Sequence, residues 1–142
     1  MMPIYRLAHW LHVHAVPLLP RLLYLLNRVV FGVVLPASTE IGAQTRFGYS
    51  GLGTVVHGRA VLGRRVNVGT NVTIGGRSGH AQVPVIGDDV EIGSGAKILG
   101  PVRVGDRAKI GANAVVLQDV APGDVVVGIP ARPVQQRGGR GA

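Results

Sequence analysis

Apolar positions in this chain recur every six residues over most of its length. From Val56 an aliphatic side chain returns at Leu62, Val68 and Ile74, then at Ile86, Ile92, Ile98, Val104, Ile110 and Val116. Glycine follows at positions 63, 69, 75, 87, 93, 105 and 111. Four places after the aliphatic residue stands something small or β-branched, as at Ala60, Val66, Val72, Val90, Ala96, Val102, Ala108 and Ala114. A helix repeats its apolar residues near 3.6 and a half-buried strand near 2, so a strict six belongs to neither. It fits very short strands joined by tight turns, each unit turning one large and one smaller side chain inward. Hexapeptide repetition is the mark of a parallel β-helix.

The beat divides the chain into three zones. Residues 1–37 are apolar without it and predict an N-terminal helical segment. Residues 38–128 carry it and form the β-helix domain. Residues 129–142 are a C-terminal extension ending in a basic Gly/Arg tail that reads as disordered. Within the repeat, Ser50–Gly53 adds a half-unit between Phe47 and Val56. The stretch 76–84 has loop composition and is expected to leave the wall of the helix, with His80 where an aliphatic residue would fall. Three hexads per coil would stack positions eighteen apart. That spacing puts Val56, Ile74, Ile92 and Ile110 in one column and Val68, Ile86 and Val104 in another.

In the first zone, residues 18–35 look like a membrane segment, but Arg21, Asn27 and Arg28 interrupt them. A spanning helix needs close to 20 apolar residues, so the segment is not expected to cross a bilayer. Arg21, Tyr24 and Arg28 form one polar stripe on an otherwise apolar helix. Two readings follow: packing against the β-helix or a neighbouring subunit, or peripheral contact of residues 18–35 with a membrane surface. His9, His12 and His14 are expected on a helix surface.

Charge alters this picture only slightly. The chain of 142 residues carries a formal charge of +8, which raises nucleic acid as a partner. The cations of the repeat zone fall one or two per stretch, and aromatics for base stacking are scarce, so no nucleic acid is expected. A small anionic ligand fits better. Cysteine is absent, which excludes disulfides and thiolate metal sites.

The run from Val85 to Gly100, the segment Lys109–Val116 and the closing Gly128-Ile129-Pro130-Ala131-Arg132 resemble the hexapeptide-repeat acyltransferases. Tyr5–Leu11 and Val72–Gly76 are most similar to serine O-acetyltransferase and its short relatives in polysaccharide gene clusters. The resemblance implies a left-handed parallel β-helix and a homotrimer, with acetyl-CoA bound between subunits as co-substrate and no metal. It implies O-acetylation of a hydroxyl, on either a surface-polysaccharide saccharide or L-serine. The expected location is the cytoplasm, or the inner face of the membrane as a peripheral protein. The chain departs from the serine enzymes at two points. Tyr49 and Ser50 stand where their Asp-His-Ala-Thr-Gly motif has Asp and the basic His, and Val83 stands where a second His precedes the Pro matched by Pro84.

Thioester-to-hydroxyl transfer needs a base, and histidine has the suitable reference pKa. His57 and His80 are the only histidines in the repeat zone, and both are candidates. His80 precedes Pro84-Val85-Ile86-Gly87 much as the catalytic His does in similar sugar and xenobiotic acetyltransferases. Candidate acetyl-CoA contacts, by the same resemblance, are Gly75, Gly76, Ser94, Gly95, Ala112, Asn113 and Ala131, with Lys97 and Arg132 as phosphate partners. Two other classes stay open: a non-catalytic scaffold, and a metal enzyme similar to the γ-class carbonic anhydrases. The latter need three histidines around Zn²⁺, and the repeat zone offers two.

Overall fold

The computed structural model describes residues 1–134; the Gly/Arg tail lies outside the described residues. Strands of two or three residues stack in parallel into three faces. Face one holds Val55–Val56, Thr73–Gly75, Lys97–Leu99 and Val115–Val116; face two holds Glu40–Ile41, Val61–Leu62, Val85–Ile86 and Arg103–Val104. Face three runs from Arg46–Phe47 through Asn67–Val68, Glu91–Ile92 and Lys109–Ile110 to Val125–Val127. Arg132–Pro133 then turns back antiparallel on Val126–Val127. The hexapeptide beat therefore does build a parallel β-helix.

Each parallel strand buries one residue and leaves its neighbour partly or fully exposed, and the buried ones fill the interior. Ile74, Ile86 and Ile98 are 0 to 1% exposed, and the small residues Ala60, Ala96, Ala108 and Ala114 are 0% exposed at the turns. The columns differ from an eighteen-residue rule. Val56 stacks on Ile74, but Ile74 stacks on Ile98; Val68 stacks on Ile92 and then Ile110, and Leu62 on Ile86 and then Val104. The expected pairs Ile74–Ile92 and Val68–Ile86 do not form. The excursion between Gly75 and Val85 adds one full hexad to that coil, so all three faces step by twenty-four residues there and by eighteen at the next coil. The inserted length equals the period, so the beat hides it.

The turns between faces two and three are tied coil to coil by aspartates. Asp88 Oδ1 accepts the Arg64 N–H and Asp106 Oδ1 accepts the Asp88 N–H, each at 2.8 Å. At Gly87 the Asp106 carboxylate occupies the space a Cβ would need, so that position has no room for a side chain. Arg65, Asp89 and Arg107 stack at the left-handed position of successive turns, and Arg65 holds Asp89 through two contacts of 2.7 and 2.9 Å.

Two helices close the N-terminal end. Helix α1, Met2–Val13, buries Tyr5, Ala8 and Leu11, the i, i+3, i+6 positions of one face. It docks by polar contacts to backbone: Tyr5 Oη donates to Thr39 O, and Arg6 donates to Ile41 O and Gly42 O at 2.7 Å each. His9 is not a surface residue as expected; its Nδ1 lies 2.8 Å from Ala37 O and anchors the same joint. Burial pushes the Tyr5 phenol up to about 12. Helix α2, Leu19–Phe31, has Pro20 in its first turn and ends at Gly32 in the left-handed conformation. It packs on α1, and the chain then enters the β-helix through buried Val33 and Leu35, with Val34 bridged to Val55.

Candidate active site

The candidate residues lie along the two borders of face one. On the border with face two, His57 opens the turn after Val56, and the 76–84 loop projects from the next coil carrying His80. His57 is half-buried and its Nδ1 accepts the Arg59 N–H at 3.1 Å. That bond leaves the proton of the neutral ring on Nε2, so the free nitrogen of His57 is a donor. The Arg59 Nη2 donates to Ala81 O at 2.9 Å, fastening the loop to the coil below. His80 is exposed, held by its backbone N–H to Arg77 O at 3.1 Å, and its ring has no partner among the described residues. Gly75 and Gly76 lead into this loop; Gly75 O accepts the Gly100 N–H at 2.9 Å, and Arg77 packs over Gly100.

The border between faces three and one carries Ser94, Gly95, Ala112, Asn113 and Ala131. Several of these already serve the solenoid. Ser94 Oγ accepts the Thr70 N–H at 3.2 Å, and the Asn113 N–H donates to Ser94 O at 2.9 Å. Gly95, with φ of +79°, has the Asn113 amide oxygen where a Cβ would stand. Ala131 donates its N–H to Val115 O at 2.8 Å, securing the final turn. The same border bears Tyr49 and Ser50, two successive residues in the left-handed region, with Tyr49 89% exposed. Backbone of that kind is sparsely populated by non-glycine residues and concentrates at functional sites.

Lys97 crosses the outer surface of face one, and its Nζ donates to Asn71 O at 2.8 Å. Arg132 reaches back toward Gln118 at 3.4 Å. Both cations remain solvent-accessible and project beside the Gly/Ser border. The structure thus groups His57, His80, Gly75 and Gly76 on one side and Ser94, Gly95, Ala112, Asn113 and Ala131 on the other. It does not bring the two groups into one cleft of a single chain.

A concavity of about 650 Å³ lies elsewhere, on the outside of face three between Arg46, Asn67, Glu91 and Lys109. Neither histidine lines it, although Gly48 and Ser94 do. It is an open trough between neighbouring strands. Sequence reasoning missed Arg59 as the loop clasp; an arginine two residues after His57 was its only trace. Among the described residues no group of three potential metal-ligating side chains converges.

Residues 84–118 match the family described as bacterial transferase hexapeptide (six repeats), so that stretch of the chain carries a transferase hexapeptide repeat. The chain is similar in sequence and fold to serine acetyltransferases. That of Neisseria gonorrhoeae superposes over 92% of this chain and 50% of its own, with TM-score 0.85 and 39% identity. That of Brucella abortus strain S19 superposes over 94% of this chain and 54% of its own, with TM-score 0.88 and 34% identity. A serine acetyltransferase of Synechococcus elongatus is 37% identical over 72 residues, 51% of this chain and 29% of the relative. The chain therefore spans about half the length of the solved relatives and less of the curated one.

Proposed function

We propose that this chain is an acetyl-CoA-dependent O-acetyltransferase. The supporting observation is the match, over more than nine-tenths of the chain, to serine acetyltransferases, one of them solved in complex with CoA at TM-score 0.87 and 36% identity. In this reading His80, whose ring is unengaged, takes the proton from the acceptor hydroxyl. The oxygen attacks the thioester carbonyl, and a tetrahedral oxyanion forms. The C–S bond then breaks, and the departing thiolate takes the proton back from the imidazolium, giving the acetyl ester and CoA. His57, with its proton fixed on Nε2, donates a hydrogen bond to the acceptor or the oxyanion. The Gly/Ser border and the cations Lys97 and Arg132 hold the CoA chain and its phosphates.

Because those two groups occupy opposite borders of face one, the complete site is assembled in a homotrimer, with the Gly/Ser border of one copy facing the histidine border of the next. Light scattering should give about three times 14.8 kDa; a stable monomer with full activity would sink the shared-site arrangement.

L-serine is the acceptor the relatives suggest, since two of the solved serine acetyltransferases hold serine. A sugar hydroxyl is the second reading. Ser50 and Val83, at the positions that resemble the serine enzymes' histidines, supply no base, and Tyr49 presents an exposed ring of the kind that stacks on sugars. The test is thiol release from acetyl-CoA with serine, nucleotide sugars and oligosaccharides as acceptors. Saturable acetyl-CoA binding with turnover on one of these supports the proposal, and absence of acetyl-CoA binding in calorimetry would refute it in favour of a scaffold.

A further inference from the structure

Helix α2 is built back to front for a helix that only packs on its own chain. Its buried positions are Pro20 and Asn27, while Leu19, Leu22, Leu25, Leu26, Val29 and Val30 are 42 to 83% exposed. At 3.6 residues per turn those six side chains fall within an arc of about 140°, turned away from the packed side. Asn27, at the packed side, is 1% exposed and keeps its Oδ1 without a partner, although a leucine there would bury more cheaply. The apolar residues have thus been placed outward.

The charge around this face is of one sign. Arg21 and Arg28, seven residues apart, form a row along one border of the arc, and both are exposed. No aspartate or glutamate occurs before Glu40, so Arg6, Arg21 and Arg28 are unopposed within the helical segment. A second copy packed face to face would bring the same cations together. An anionic surface would neutralise them while covering the apolar arc. Trp10, 55% exposed near the corner between the helices, is the side chain that favours a lipid–water boundary. No described helix is long and apolar enough to cross a membrane, which leaves a helix lying in the surface plane.

We infer that the outward face of α2 docks the protein onto an anionic lipid surface, with the leucines and valines in the acyl boundary and Arg21 and Arg28 among the phosphates. The inference is independent of the transferase reading: it concerns a surface at the end of the solenoid and needs no catalysis to be tested.

The full chain should float with vesicles of mixed phosphatidylglycerol and phosphatidylcholine, and should not float with phosphatidylcholine alone. Replacing Leu22→Asp together with Leu26→Asp should abolish flotation while the circular dichroism spectrum is kept, because both side chains already face solvent. Should that double variant fail to fold, Val29→Ser at the most exposed position of the arc should give a graded loss. Arg21→Gln and Arg28→Gln should each weaken binding by roughly five-fold and flatten its salt dependence. Failure of the native chain to float overturns the inference, as does flotation unchanged by the apolar variants. A native chain that ignores vesicles, but drops in mass by light scattering when Leu22 and Leu26 are replaced, would assign the face to a second copy.

Discussion

The inward packing of Ile98, which the twenty-four-residue step places on Ile74 and beneath Val116, can be tested by truncation. Ile98 is 0% exposed, so truncation to alanine leaves a hole that solvent cannot enter and rigid neighbouring coils cannot easily close. Three carbons leave the core, which at about 0.8 kcal/mol per buried group is roughly 2.4 kcal/mol of lost transfer energy. The unfilled cavity adds to this, and measured isoleucine-to-alanine changes span about 2–5 kcal/mol, so about 3–4 kcal/mol is expected for Ile98→Ala. Against total stabilities of about 5–15 kcal/mol this is a large fraction. It should lower Tm by on the order of 10 °C in a chain of this size. The control is Glu91→Gln, which removes a solvent-exposed 3.5 Å pair with Lys109 and should cost less than about 1 kcal/mol. Urea melts of both variants, with unchanged slope, would decide it. A cost below about 1 kcal/mol for Ile98→Ala, or equal costs for the two variants, would refute the burial assigned to Ile98.

Three further outcomes are expected. Tyr5 has its phenol raised from an ordinary 10 to about 12, so its contribution is intact below pH 10 and is lost as pH rises from about 10 to 12; Tyr5→Phe should remove that part of the alkaline fall in Tm. Asp89 combines a left-handed backbone with a two-contact pair to Arg65 that holds its carboxyl below the usual range, so Asp89→Ala is not the neutral turn change that an exposed aspartate suggests. It should melt below the native protein, with Asp89→Asn in between, and the native advantage should vanish as pH falls through the depressed carboxylate pKa. If His80 is the base, His80→Ala should lower kcat by about 10²–10⁴-fold with acetyl-CoA affinity kept, and His57→Ala should have the smaller effect; the reverse order would exchange their roles.

The architecture was legible because every inward position of a β-helix makes the same demand. Ile74, Ile86 and Ile98 answer it identically, and twelve or eighteen residues of spacing look alike to a six-residue beat. The same uniformity concealed the shift of column at the 76–84 loop. The docking of α1 was not legible, since Tyr5, Arg6 and His9 bind carbonyl oxygens that any residue would offer. Nor were the left-handed positions of Arg65 and Arg107, because long cationic side chains carry no preference for that conformation. The histidines were found as chemistry before geometry; that they share one border, and that Arg59 fastens the loop beside them, required the fold.

The loop from Gly76 to Pro84 leaves face one and rejoins face two with the coil above continuing as though nothing had intervened. Its ends are fixed by ladder bonds, and Arg59 and Gly100 grip it from below and above. A segment attached in this way is a replaceable part. Its length and composition can change without a compensating change in any column, because neither the stacking nor the turns of other coils depend on what it contains. On the proposed reading, the acceptor side of the site can therefore vary within some nine residues, provided His80 keeps its place, while the prism that supports them is unaltered.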